Sequence, residues 1–369
     1  MPENKYPGVY VEETLAVGVS MTAGETAVPV FFEDCGDAVD SVAPLASWQE
    51  FTRLGDTLNA SAFAASLRGY FANGGSRCYL ANTAGRSLDE TLTAVERFSD
   101  ITVLVAPGLW DEGEKRAGEW ARALTGYAAS HQAMAILHAD RAHTPAQASA
   151  AVDGWGLEER VRPHAAVYYP WVRQAASSGD LVVAPSGILA GIWARTDRER
   201  GVWKAPANVA LAQVTGLEHQ AGDQEQRENA SLNFLRVFPG RGTLVWGART
   251  LVSAESPNMD WRYIPVRRLF DAVFRDISTA LRSVVFEPNT RPTWEKVRAA
   301  VDSHLHGLWR MGAFLGARPD EGYFVQVGEG ITMTREDIES GRLIVRVGIA
   351  PIRPVEFLLQ QHTIELDRG

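Results

Sequence analysis

The residue types best able to do chemistry are spread thinly along this 369-residue chain. Asp140, His164 and Ser186 occur in the order of one hydrolase triad, in which a carboxylate orients an imidazole and the imidazole takes the serine proton. Chain order alone is weak, because an α/β protein of this length contains many such triples. Ser186 stands in APSG rather than in the GxSxG turn that holds a nucleophile on a strained elbow, so a loop entering a helix explains it equally well. Neither GxxxxGKS/T nor GxGxxG is present to cradle a phosphate. His131 and His138 are seven apart and His304 and His306 two apart, with no carboxylate or thiol at ligand spacing, so they read as structural. Cys35 and Cys78 fit neither a disulfide framework nor a metal site and read as reduced, packed thiols. The tryptophans fall within apolar patterns (Trp120, Trp294, Trp309) or in loops (Trp203, Trp261) and read as core or interface anchors. No cofactor or metal is expected, and on motifs the chain does not read as an enzyme.

Charge points toward surfaces instead. The net charge of −9 argues against a general nucleic-acid binder. It is unevenly placed: residues 1–100 carry 6 Lys/Arg against 14 Asp/Glu, whereas residues 261–318 carry 10 against 5. Two helical patterns hold these cations. In the first, Val266, Leu269, Val273, Ile277, Leu281 and Val284 form an apolar stripe after Pro265, with Arg268, Arg275 and Arg282 at seven-residue spacing opposite. The second, from Thr293, buries Trp294, Val297, Val301, Leu305 and Leu308. Its other face carries Lys296, Ser303, His306 and Arg310 with the small Ala299 and Gly307, a combination able to lie close against a partner. The basic stretch is a binding face or simply a solvated one.

Several elements must position these faces. Length favours two or three domains, and 46% hydrophobic residues suffice for a core in each. Residues 86–190 alternate helix and strand, the pattern of a mostly parallel α/β layer. Ser47 with Glu50, Thr144, and Thr334 with Asp337 are helix-start signals. The start, MPENKYPG, has no signal-peptide core, and the apolar window 181–194 is too short to span a bilayer, so no membrane anchor is expected. Residues 1–20 include the strand-like Val9, Tyr10, Val11 and Glu12, and extended they reach about 65 Å. At the other end, residues 343–349, with Leu343, Ile344, Val345 and Val347, read as a strand. Pro351 and Pro354 break it, and a second extended stretch follows with Phe357, Leu358, Leu359, Ile364 and Leu366. A terminal strand without a partner must pair with something, and another copy of the chain is the expected partner.

Eight stretches in order carry a resemblance: YPGVYVEE near the start, FANGGSRCYL, APSGILAGIWARTDRERGVWKAPAN, FPGRGTLVWGARTL, WRYIPVRRLF, VVFEPNTRPTWEKVR, GLWRMGAFLGARPDEGYFV and GRLIVRVGIAPIRPVEFLL. Together they resemble the contractile tail sheath family of phages, R-type pyocins and extracellular injection particles. The resemblance implies a subtilisin-like α/β layer domain without its active site, an α+β C-terminal domain, and extended N- and C-terminal strand arms. The implied segments are an arm at 1–20, an α/β domain at 21–255 (most variable at about 86–190), a C-terminal assembly domain at 256–355 and an arm at 356–369.

It further implies a structural subunit that polymerises as stacked hexameric rings around an inner tube and contracts to drive the tube through a target envelope. Arms Val9–Glu12 and 357–366 would add strands beside residues 343–347 of neighbours. Basic residues Lys296 and Arg310, or alternatively Arg268, Arg275 and Arg282, would face an acidic tube. The implied partners are the chain itself, the tube, baseplate and terminator or cap proteins, and sheath paralogues. Assembly is expected in the bacterial cytoplasm, and the mature protein in a virion or released particle. A low-copy paralogue at the baseplate or cap is the alternative within the family, and a subtilisin-like serine hydrolase the remote one.

Overall fold

The computed structural model describes residues 21–176 and 179–354. Its strands are β1 (Pro29–Glu33), β2 (Val42–Leu45), β3 (Cys78–Asn82), β4 (Val103–Val105), β5 (Met134–His138), β6 (Ala165–Tyr169), β7 (Val172–Ala176), β8 (Gly179–Val183), β9 (Val209–Ala210), β10 (Gly216–Leu217), β11 (Leu232–Phe238), β12 (Gly242–Trp246), β13 (Tyr323–Gln326) and β14 (Arg346–Ile349). Nine of these form one sheet in the order β2-β3-β1-β4-β5-β6-β11-β12-β9. From β3 to β11 neighbours run parallel, and antiparallel strands close the edges: β2 on one side, β12 and β9 on the other.

The central strands are apolar on both faces, as a parallel sheet covered by helices requires. Alternation splits them between two cores. Leu104, Ala135, Leu137 and Val167 pack with Val95, Leu124, Val152 and Trp155 of the helices Leu88–Val95, Glu114–Ser130 and Pro145–Gly154 and the turn that follows. Val103, Val105, Ile136 and Tyr168 turn the other way, onto Leu67, Tyr70, Ile188 and Trp193 of the helices Ala62–Ala72 and Pro185–Arg200. These last two helices approach closely because the second carries glycine at the crossing. A Cβ on Gly191 would sit 2.3 Å from the Tyr70 carbonyl oxygen, and one on Gly187 2.8 Å from that of Ser66.

Local signals were obeyed where a side chain could satisfy an orphan amide. Thr144 with Gln147, Ser87 with Glu90, and Thr334 with Asp337 each close a capping box. Ser47 also caps, but Glu50 reaches the Ala46 amide instead, and the expected helix splits into Trp48–Phe51 and a 3-10 turn ending at Gly55 (φ 131°). The polar stretch around residue 223, expected as loop, includes the short helix Asp223–Glu228.

A third core joins the helices Ile264–Leu281 and Arg291–Arg310 to the β13–β14 sheet through Leu269, Val273, Val297, Val301, Leu305, Phe314 and Tyr323. The β14 strand begins at Arg346 rather than at 343. Leu343 and Val345 pack against the third core as a lead-in, and only Val347 of the four expected strand residues lies in the strand. No described helix is long and apolar enough to cross a membrane.

Candidate assembly interface

The triad order does not become a site. His164 Nδ1 lies 2.9 Å from the Ala133 carbonyl oxygen and 3.8 Å from Asp271. Ser186 is fully buried at the start of its helix, with no hydrogen-bond partner for its hydroxyl. Asp140 accepts a hydrogen bond from the Ala142 amide two residues on. No hydrogen bond links any two of the three. His138 is buried to the point that its pKa is pushed down to about 3, so it is a neutral core residue. Among the described residues no three His, Cys, Asp or Glu side chains gather in a way that could hold a metal ion.

The arginines of the Ile264–Leu281 helix require a correction. Arg268 does not face outward: it is 4% exposed, its Nη1 donates to Asp197 at 2.9 Å, and its Nη2 donates to the Thr26 carbonyl at 3.0 Å. Its guanidinium also lies 4.5 Å over the Trp193 ring. Arg275 is half-buried and donates to the Gln132 carbonyl at 3.1 Å; burial holds its pKa below the usual arginine range. Both are turned toward the large sheet's half of the molecule, because this helix is covered on two sides. Its apolar stripe meets the third core, and its polar stripe meets the Pro185–Arg200 helix and the loops of the first two cores. Arg267 adds a fork to Asp271 (3.1 and 2.7 Å) and lies 4.1 Å over the Trp261 ring. Of the expected arginine row only Arg282 is exposed.

The Arg291–Arg310 helix is different. Val297, Val301, Leu305 and Leu308 are buried, while Lys296, Ser303 and Arg310 are exposed at seven-residue spacing along one stripe. Lys296, Arg298 and Arg310 make no ion pair among the described residues. Lys296 and Arg310 lie about 21 Å apart along the helix axis. Trp294 is half-buried and donates to Asn289 at 2.7 Å.

Beside this helix, β13 and β14 pair antiparallel, Tyr323 with Ile349 through Gln326 with Arg346. Among the described residues the sheet has these two strands alone, so its outer edges are unpaired. Val9, Tyr10, Val11, Glu12, Phe357, Leu358, Leu359, Ile364 and Leu366 lie outside the described residues. The positions nearest them are informative. The Gly24 amide donates to Asp276 at 3.0 Å, and Thr22 and Gly24 line a cleft of about 400 Å³ with Arg275 and Arg282. Pro354 lines a groove of about 720 Å³ together with Arg262. The helix Ile264–Leu281 runs between the two places: Asp276 and Arg262 lie about 21 Å apart along its axis.

Sequence reasoning missed the charged junction and one exposed group. Arg267, Asp271, Asp197 and His164 are distant in sequence, and no local spacing announces them. Phe286, fully exposed with φ 76°, stands two residues past the apolar stripe that ends at Val284, and no spacing marks it as outward-facing. The helix in fact ends at Leu281, followed by the 3-10 turn Arg282–Val284.

The described residues join a helix-covered α/β body to a smaller α+β unit whose sheet edges are open and whose long helix carries an exposed cation stripe. Comparison with known proteins gives this architecture its family. Residues 102–251 match the phage tail sheath protein central domain, and residues 256–365 the phage tail sheath C-terminal domain. The sheath of an extracellular contractile injection system, PVC, in its contracted state is 36% identical and aligns with a TM-score of 0.82 over 100% of this chain and 99% of that one. A chain of the contracted baseplate of the anti-feeding prophage is 38% identical, with a TM-score of 0.80 over 98% and 100%. The tail sheath protein of Vibrio phage KVP40 is 27% identical over 132 residues, which is 34% of this chain and 19% of that protein. The chain thus matches a fifth of that curated relative but the full length of the injection-system subunits. It belongs to the contractile tail sheath family.

Proposed function

We propose that this chain is the structural subunit of a contractile sheath, stacking as hexameric rings around an inner tube and shortening to drive that tube through a target envelope. The observation that carries the reading is the full-length likeness to a contracted injection-system sheath at 36% identity. The open edges of the β13–β14 sheet support strand exchange, with residues 9–12 and 357–366 of neighbours as the added strands. Five to ten interchain hydrogen bonds at about 0.5–1.5 kcal/mol each would hold such a joint. The unpaired stripe of Lys296 and Arg310 is the tube-facing surface. Single exposed charge pairs contribute about 0–1 kcal/mol each, which suits a contact that must hold and then release.

Residues 21–255 would form the body and 256–355 the assembly domain. The chain does no catalysis. It assembles in the bacterial cytoplasm and works in a virion or released particle, with the tube, baseplate and cap proteins as partners. The likeness to a chain of a baseplate structure favours one second reading, a low-copy paralogue at that end. Counting copies per particle separates the two: many copies mean a sheath body, few a baseplate or cap part.

The direct test is negative-stain microscopy of the purified chain with its tube partner. Long tubes or rings are expected from the intact chain. Removal of residues 1–15 or 357–369 should leave soluble monomers with an unchanged Tm. Normal polymers from the truncated chains would sink the strand-exchange reading.

A further inference from the structure

The tip between the two long C-terminal helices presents an apolar knob that the subunit itself leaves uncovered. Val284 is buried in the third core, but the chain then turns outward: Val285 is 58% exposed and Phe286 is 101% exposed. Phe286 sits at φ 76°, a conformation that bulky L-residues avoid. Glu287 follows, exposed and without an ion pair among the described residues. A large aromatic held in water by an unfavourable backbone is a cost to the isolated subunit, of the kind that persists where function requires it.

The complementary surface lies at the far end of the same helix. The groove of about 720 Å³ is lined by Trp246, Ala248 and Leu232, by Arg227, Ala230 and Arg262, and by Asp223, whose charge Arg236 pairs at 2.6 Å. Arg227 is exposed with no ion pair among the described residues, and the Arg262 guanidinium meets the Met259 sulfur at 3.6 Å. Arg262 lies two residues before the Ile264–Leu281 helix and Phe286 five after it, so about 27 Å of helix keeps knob and groove apart within one chain. We propose that Phe286 and Glu287 of one copy dock in the Trp246 groove of the next, ring against apolar wall and carboxylate against Arg227 and Arg262. A knob and a hole on opposite ends of one subunit make a heterologous contact, which closes into rings or propagates as a helix. This rests on the sheath reading and adds to it a contact between folded bodies, independent of the arms.

The test combines assembly, stability and cross-linking. Phe286→Gly relieves the backbone and removes the ring, so it should raise the Tm of the monomer while cutting polymer yield at least tenfold. Glu287→Arg should do the latter alone, and Arg227→Glu in the same chain should restore polymers. Val285→Cys with Ala230→Cys keeps the ring and should give a ladder of disulfide-linked multimers on oxidation of assembled particles; the native Cys35 and Cys78 are buried and stay silent. Phe286→Gly assembling like the parent, or assembled double-cysteine particles without a ladder, would overturn the contact and leave the sheath reading standing. A cross-link from Ala230→Cys to Leu358→Cys instead would assign the groove to the C-terminal segment and overturn it too. Failure of the parent chain to polymerise under any condition would count against the sheath reading itself.

Discussion

The two halves of the molecule treat their apolar surface in opposite ways. Across the nine-stranded sheet both faces are sealed by helices, and of the large hydrophobics within residues 21–255 only Leu181 and Val237 stand out in water. In the smaller unit, Val285, Phe286, Met311, Leu315, Phe324, Ile331 and Ile344 are exposed, and among the described residues the sheet has two strands with open edges. A folded monomer has little reason to keep such a surface, and a subunit that is finished only by its neighbours has every reason. The lesson is a division of labour: the first half sets stability, the second sets assembly, and the Ile264–Leu281 helix ties them through buried charge.

That contrast predicts which variants move Tm and which move polymer yield. The largest stability effect belongs to the junction. Arg268→Ala leaves Asp197 buried without its partner, and a loss of about 3–5 kcal/mol is expected in urea unfolding of the monomer. An unchanged midpoint would show that the two halves are not energetically joined there. Next comes the helix crossing, where Gly191→Ala drives a methyl into the Tyr70 carbonyl and should cost about 1–3 kcal/mol.

A pH-dependent effect follows. Burial first, then the charges of Asp111 and Asp34, pushes the Glu33 pKa up to about 7 from an ordinary 4.5. Between those values the folded chain keeps a proton that the unfolded chain has released. Stability from this group is therefore whole below pH 4.5 and falls as pH rises through 7. Glu33→Gln should raise stability by up to about 3 kcal/mol at pH 8 and leave it unchanged at pH 4, read as Tm at the two values. Equal shifts at both would remove the carboxylate from the account.

The smallest effect on stability should come from the cation stripe. Charge reversal at Lys296 and Arg310 is expected to change unfolding by less than about 0.5 kcal/mol, yet to abolish co-assembly with the tube while tube-free polymers persist. If Arg282→Glu did this instead, the tube would lie against the other helix. Ser186 should remain unlabelled by a fluorophosphonate probe, since its hydroxyl is buried and no imidazole faces it.

Much of this was legible in the sequence, for physical reasons that are local. Helix starts at Ser47, Thr144 and Thr334 follow from side chains capping amides three residues on. The buried strands around Leu104, Ile136 and Val167 follow from continuous apolar runs. The buried face of Val297, Val301, Leu305 and Leu308 follows from a period of 3.6, and the same period placed Lys296 and Arg310 in water. Period also misled: it set Arg268 opposite the apolar stripe of its helix, correctly, but opposite does not mean exposed when a second layer covers that side. The pairing of Arg268 with Asp197, 71 residues away, of His164 with Asp271, and of the Gly24 amide with Asp276 depends on how two layers meet. So does the outward turn of Phe286, because only the packed third core decides that Val284 goes in and its two successors stay out. By itself the sequence determined the elements, their capped ends and the family. The tertiary structure decided which charges are structural and which surfaces are left for a neighbour, since burial is a property of layers and not of spacing.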